Sequence, residues 1–257
     1  MPLALGAQSA RVSFARELLS KRGRDEHRAF AIEGPTLLDE ALRSGAAVRE
    51  LYVTEAGAAE PRVASLERSG VPTYLVADRT FAKISGVETP TGILAVVDLV
   101  PAPLERMFAA PGVVLLVADL GDPGNLGTLL RAAEAFGAAG AIGGDLGADP
   151  HHPKVVRAGM GAHFRLPIAT GSPATVAVAA RAAGAELVGL AAGGVALGGL
   201  DWPARTVLVV GHERHGLGRW EPVCSSIAGI PMAPAAESLN AAVAGAIALY
   251  EAFKNRA

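Results

Sequence analysis

Residues Val113 to Ala118 are apolar without interruption, and a turn rich in glycine, proline and aspartate follows at once. A strand that is apolar at every position is buried on both faces, as happens in a parallel sheet covered by helices. The next stretch carries Leu126, Leu129, Leu130, Ala133 and Phe136, which recur at the helical period. The same alternation continues, with strands predicted over 139–142, 186–190, 207–210 and 227–230 and a helix over 176–183. Ser238 reads as the N-cap of a last helix, with Val243, Ala246, Ile247, Tyr250 and Phe253 on its apolar face. The expected fold class is therefore α/β, with a mostly parallel sheet covered by helices.

The first hundred residues also alternate, with short strands at 30–32, 48–54, 73–76 and 92–99 and helices at 14–19, 35–43 and 61–69. Pro101-Ala102-Pro103 and Pro111-Gly112 break that pattern, so a linker is expected over 101–111, with a short helix at 104–108. This division sets a small domain at 1–100 before a larger one at 112–257. A chain of 257 residues with 51% hydrophobic and 19% charged residues has ample material for a core, which excludes a disordered chain. The net charge of −2 restricts any nucleic-acid contact to a local patch. The single cysteine, Cys224, excludes an internal disulfide and suits a reducing cytoplasm. The stretch 1–11 is too short and too weakly apolar for a signal peptide, and no apolar run approaches the roughly 20 residues of a membrane span.

Three clusters mix glycine or proline with polar side chains after strand-like runs. The first, Asn125 to Arg131, follows Gly121-Asp122-Pro123-Gly124. It lacks the Lys-Ser/Thr of a phosphate-binding P-loop and the glycine spacing of a dinucleotide fold, which argues against a nucleotide-dependent oxidoreductase. An ordinary turn with Asn125 as helix cap would explain it, except that Arg131 sets a guanidinium in an otherwise apolar helix; such a group is either solvated or a phosphate ligand. The second, Gly211 to Leu217, holds His212 and His215 at i and i+3, with Glu213 between them. The zincin helix needs i and i+4, so no metal is expected there, and His151-His152 reads as a polar loop pair. The third is Ile230-Pro231-Met232 followed by Ser238-Leu239-Asn240, whose plain reading is a helix cap. A basic stretch, Arg16 to Arg28, includes Arg22 and Arg24; it is a solvated helix end or a surface for phosphates.

Together the clusters resemble the three motifs of the SpoU, or TrmH-type, RNA ribose methyltransferases of the SPOUT class. The first motif matches at Asn125, Gly127 and Arg131, the second at Gly211, Glu213, Gly216 and Leu217, and the third at Ile230 to Met232 and Ser238 to Asn240. Between them, Arg157-Ala158-Gly159-Met160-Gly161-Ala162 resembles another family segment, with Gly159 where serine is usual. The stretch Arg24 with Phe30 to Pro35 resembles the family's small ribosomal-protein-like substrate domain.

The resemblance implies a C-terminal trefoil knot, a homodimer, and transfer of a methyl group from S-adenosylmethionine to a ribose 2′-oxygen. It implies that Gly211, Ile230, Leu239 and Met232 bind the cofactor, together with Leu190 and Ala191. It gives catalytic roles to Arg131, Asn125, Glu213 and Asn240, and RNA contacts to Arg22, Arg24, Arg28 and Arg157. Ribosomal RNA is the favoured substrate; transfer RNA, or RNA binding without catalysis, is the alternative. A guanidinium stays charged at working pH, so an arginine is a poor general base and suits a phosphate better.

Overall fold

The computed structural model describes residues 2–212, 215–236 and 238–256. Along the first part of the chain run β1 (Leu3–Ala4), α1 (Ala10–Glu17), α2 (Lys21–His27), β2 (Ala29–Glu33), α3 (Pro35–Arg43), β3 (Val48–Val53), α4 (Glu55–Ala58), α5 (Pro61–Arg68), β4 (Thr73–Leu75), α6 (Asp78–Phe81) and β5 (Ile93–Asp98). There follow α7 (Leu104–Met107), β6 (Gly112–Val117), α8 (Pro123–Ala135), β7 (Gly140–Gly144), α9 (Pro153–Gly159), β8 (Ile168–Gly171), α10 (Pro173–Ala182), β9 (Glu186–Ala196), β10 (Arg205–Val210), β11 (Ser226–Gly229) and α11 (Ala241–Lys254).

The chain divides into two compact units. One comprises residues 1–100 and 151–164, the other 101–150 and 165–257. Two features differ from the expected division. Segment 151–164, expected in the larger domain, folds with the first unit, where Val156 and Phe164 join the cluster of Phe30, Ile32 and Leu38. The expected linker is also part of a core: Met107 and Phe108 are 1% and 5% exposed and pack with Val114, Ile142 and Trp220. Proline at both ends broke the sequence pattern there, but two large apolar side chains gain more from burial than from standing in water.

In the first unit the strands are ordered β1-β4-β3-β5-β2, with β5 antiparallel to both neighbours and the remaining pairs parallel. In the second, β11-β9-β10-β6-β7-β8 form a wholly parallel sheet. The run Val113 to Val117 is buried throughout, as a strand covered on both faces requires. Strand β8 and helix α9 had no counterpart in the sequence pattern, being short and, in α9, interrupted by charge.

Helix α11 faces the opposite way from expectation. Its buried side is Ala241, Ala242, Gly245, Ala248, Leu249 and Ala252, while Val243, Ile247, Tyr250 and Phe253 are exposed at 49%, 37%, 48% and 45%. Close approach decides this. A Cβ on Gly245 would lie 2.4 Å from Leu129 Cδ2 and 3.1 Å from Val210 Cγ2, so only the small-residue side can sit on α8 and β10.

Candidate active site

The second unit builds a cavity where its strands end, as open parallel sheets do. After β6 the chain turns, and Asp122 caps α8, its Oδ1 accepting the Asn125 amide at 2.7 Å. Asn125 is thus not the cap. It lies in the first turn of α8, with its side chain turned to a distant partner. Asn240, expected in the first turn of a helix capped by Ser238, is itself the N-cap of α11. Its Oδ1 accepts the amides of Ala242 and Val243 at 2.9 and 3.2 Å, and its Nδ2 donates to Asn125 Oδ1 at 3.1 Å. Two helix N-termini are joined by this amide pair, which leaves donors of both ends turned toward one region.

Glycines shape the cavity. The turn after β10 is closed by His212 N–H to Gly216 C=O at 2.9 Å and the reverse bond at 2.8 Å. A Cβ on Gly211 would stand 2.3 Å from the Gly216 oxygen, so the loop excludes any side chain there. Strand β11 pairs with β9 through Ile227↔Gly189 and then through Ala228↔Val195, leaving the stretch between as an excursion of β9. At that excursion the two backbones touch: a Cβ on Gly194 would meet the Ile227 oxygen at 2.6 Å. The resulting cavity, about 270 Å³, is lined by Leu190, Ala191, Gly211, Ile230, Met232 and Leu239, with His212, Gly216 and Ser238 also on its wall. All six residues to which the resemblance assigned the cofactor therefore share one apolar, backbone-walled space.

The remaining expected residues divide. Arg131 is exposed on α8, two turns beyond the Asn125 end. Glu213 lies outside the described residues. Arg22, Arg28 and Arg157 are exposed, with Arg22 Nε 3.9 Å from Glu26. Arg24 is not on a surface: it is 1% exposed, and its Nη1 donates to the Leu18 carbonyl at 2.7 Å. That guanidinium braces the turn between α1 and α2 and cannot reach a phosphate. A basic stretch in sequence does not tell which turn of its helix faces inward. His152 caps α9, its Nδ1 accepting the Lys154 amide at 3.2 Å. Among the described residues no three His, Cys, Asp or Glu side chains come together as a metal site would need.

Sequence reasoning missed one polar cluster beside the site. Asp119, at the end of β6, takes φ of 53° and accepts hydrogen bonds from Arg219 and Trp220. Burial alone would raise its pKa, but the bonds from Arg219 and Trp220 outweigh that and hold the carboxyl below the usual range. The only signal was a lone charge at the end of a run otherwise apolar from Val113. Cys224 has its thiol pushed up to about 11 by burial, which makes it a poor nucleophile.

Known proteins show the same arrangement of sequence and fold. The profile of the SpoU rRNA Methylase family matches residues 112–250, and that of an MRM3-like substrate binding domain matches residues 9–95. The chain belongs to the SpoU rRNA methylase family. It is 32% identical to a 23S rRNA (guanosine(2553)-2′-O)-methyltransferase, RlmP of Bacillus subtilis, over 95% of this chain and 96% of that protein. Among solved structures it is similar to the SpoU methyltransferase AviRb from Streptomyces viridochromogenes in complex with AdoMet, at TM-score 0.86 and 32% identity over 97% and 98% of the two chains. An AdoMet-bound rRNA methyltransferase from Sinorhizobium meliloti gives TM-score 0.85 at 30% identity, over 98% and 97%. The two matched stretches correspond to the two kinds of sheet found here, a mixed one early in the chain and a parallel one later.

Proposed function

We propose that this protein methylates a ribose 2′-oxygen of ribosomal RNA, using S-adenosylmethionine. The observation that carries the reading is the single cavity shared by Leu190, Ala191, Gly211, Ile230, Met232 and Leu239, flanked by the Asn125–Asn240 pair. Relatives named as 23S rRNA 2′-O-methyltransferases favour ribosomal over transfer RNA.

The cavity suits the cofactor chemically. Apolar walls take a purine, and backbone groups between glycines supply hydrogen bonds to its edge without side chains in the way. S-adenosylmethionine contributes an electrophilic methyl group on a sulfonium. The protein's task is to aim a weak nucleophile and to manage its proton. Asn125 and Asn240 hold the ribose and the entrance to α11. Arg131, a charged planar fork, grips the phosphate beside the target ribose, and that phosphate accepts the hydroxyl proton; Lys in its place would lack the planar bidentate fork. Gly211 and its neighbours wall the cofactor, Glu213 orients the loop beside them, and Arg22, Arg28 and Arg157 hold the RNA backbone. The pass of the 191–194 backbone against 227–229 is consistent with a trefoil knot around this cavity.

The test uses labelled S-adenosylmethionine with rRNA or ribosomal subunits from a strain lacking the gene. Label in alkali-resistant dinucleotides is expected, because a 2′-O-methyl group blocks hydrolysis at its own linkage. Cofactor binding with no label on rRNA, subunits or tRNA would favour RNA binding without catalysis.

The exposed side of α11 supports a homodimer. Val243, Ile247 and Tyr250 stand at i, i+4 and i+7, one apolar stripe that a second copy would cover. Ile247→Glu should turn a dimer into a monomer in sedimentation velocity while leaving the helix content unchanged; an unaltered sedimentation coefficient would refute this face as the interface. No helix among the described residues is long and apolar enough to cross a membrane.

A further inference from the structure

Asp119 stands where β6 ends, at the start of the loop that leads to Asn125. Its φ of 53° lies in the left-handed region, where only glycine is unstrained and Asp or Asn is tolerated. Its carboxylate gathers donors from two other segments. Arg219 approaches as a fork, Nε to Oδ2 at 2.6 Å and Nη2 to Oδ1 at 3.0 Å, and Trp220 Nε1 donates to Oδ2 at 2.9 Å. From the loop after β7, the Leu146 amide donates to Oδ1 at 3.3 Å, and Asp145 takes the same Arg219 Nη2. The contact continues along the backbone: Ala148 N–H donates to Leu120 C=O at 2.8 Å, and a Cβ on Gly147 would lie 3.1 Å from Asp119 Cα. Trp220 is fully buried, so one anchor of the cluster is fixed in the core.

Arg219 and Trp220 follow Gly216-Leu217, the end of the loop that walls the cavity, with Gly218 alone between. Asp119 begins the loop that leads into α8, whose first turn carries Asn125. We infer that Asp119 and Arg219 form a brace that registers the loop entering α8, and with it Asn125, against the cavity loop, making Asp119 a positioning residue for methyl transfer. A bidentate, charge-assisted pair fixes direction as well as distance, which a single neutral bond does not. The inference rests on the methyltransferase reading for its kinetic consequence, but the brace itself is a property of this fold.

The test exploits the backbone. Asp119→Gly removes the carboxylate without backbone strain, and Arg219→Met removes the fork while keeping the stem. In the full-length enzyme, each should lower kcat on rRNA about tenfold or more, as small misalignments do. The Kd for S-adenosylmethionine and the KM for rRNA should stay within about twofold of the parent, since neither residue lines the cavity. The double variant should fall no further than the worse single one, and Asp119→Asn, which keeps the left-handed turn and one acceptor, should recover part of kcat. Amide exchange over residues 119–131 should rise in both single variants. An unchanged kcat, a cofactor affinity that falls in parallel with kcat, or unchanged exchange would overturn the brace. If the parent enzyme methylates no rRNA, the functional reading fails, and the exchange measurement alone still decides the brace.

Discussion

The two units present the residues proposed for RNA and for the cofactor in opposite ways. The first displays charged side chains on short helices around a mixed sheet: Arg22 and Arg28 on or beside α2, Arg157 on α9. The second offers almost no side-chain chemistry in its cavity, and around it backbone segments approach as only glycine allows, at Gly211, Gly194 and Gly229. A side-chain surface is graded, because each long flexible group contributes separately to affinity. A backbone-walled cavity is all or nothing, because one added methyl must displace main chain. Substitutions should therefore fail steeply in the second unit and gently on the surface of the first.

The largest effect is expected at Gly211. An alanine Cβ would be 2.3 Å from the Gly216 oxygen and 2.8 Å from the Leu217 nitrogen, so the turn must open. Overpacking of this kind costs about 1–3 kcal/mol. Borne by the cavity loop alone, that is a loss of roughly fivefold to more than a hundredfold in S-adenosylmethionine affinity. Isothermal titration measures it directly, and an unchanged Kd for Gly211→Ala would erase the contrast between the units.

Arg24 sharpens the comparison from inside the first unit. It is the one member of the basic stretch among the buried residues, its guanidinium donating to the Leu18 carbonyl. Arg24→Met keeps most of the volume and leaves that acceptor without its donor, which should lower stability by about 1–3 kcal/mol. Urea unfolding should register the loss, and RNA affinity of the folded fraction should stay where it was. A weakened RNA affinity without loss of stability would return Arg24 to the binding surface.

Much of the architecture was legible because burial on both faces leaves an unmistakable pattern: the runs at 113–118 and 207–210 are strands of the parallel sheet nearly to the residue. The residues around the cavity could be named only through the family resemblance, which the order of glycine, proline and asparagine in the three clusters carried; read locally, each cluster was a plain turn or helix cap. What escaped was set by tertiary contact. Helix α11 is apolar on every side, so its period could not say that the alanine side would pack and the Ile247 side would not. The 151–164 segment is separated in sequence from the core it joins, and no local pattern announces that. Asp119 and Arg219 meet across 100 residues, a pairing that neither local sequence reveals.

The smallest effect should come from the exposed arginines. Arg22 has a side chain that is 92% exposed and pairs only at 3.9 Å with Glu26, a contact weak enough to be given up to a phosphate. Arg28 is exposed at the left-handed C-cap of α2. Reversing both, as Arg22→Glu with Arg28→Glu, removes two phosphate contacts if each makes one. The slope of log affinity against log salt should then fall by about 1.5, while KM for rRNA rises several-fold at low salt and less at high salt. Stability and S-adenosylmethionine affinity should not move, since neither side chain is packed and neither lines the cavity. A salt slope identical to that of the parent, with KM unchanged, would mean that RNA is held elsewhere, and the graded half of the contrast would then have to be sought on α9 around Arg157.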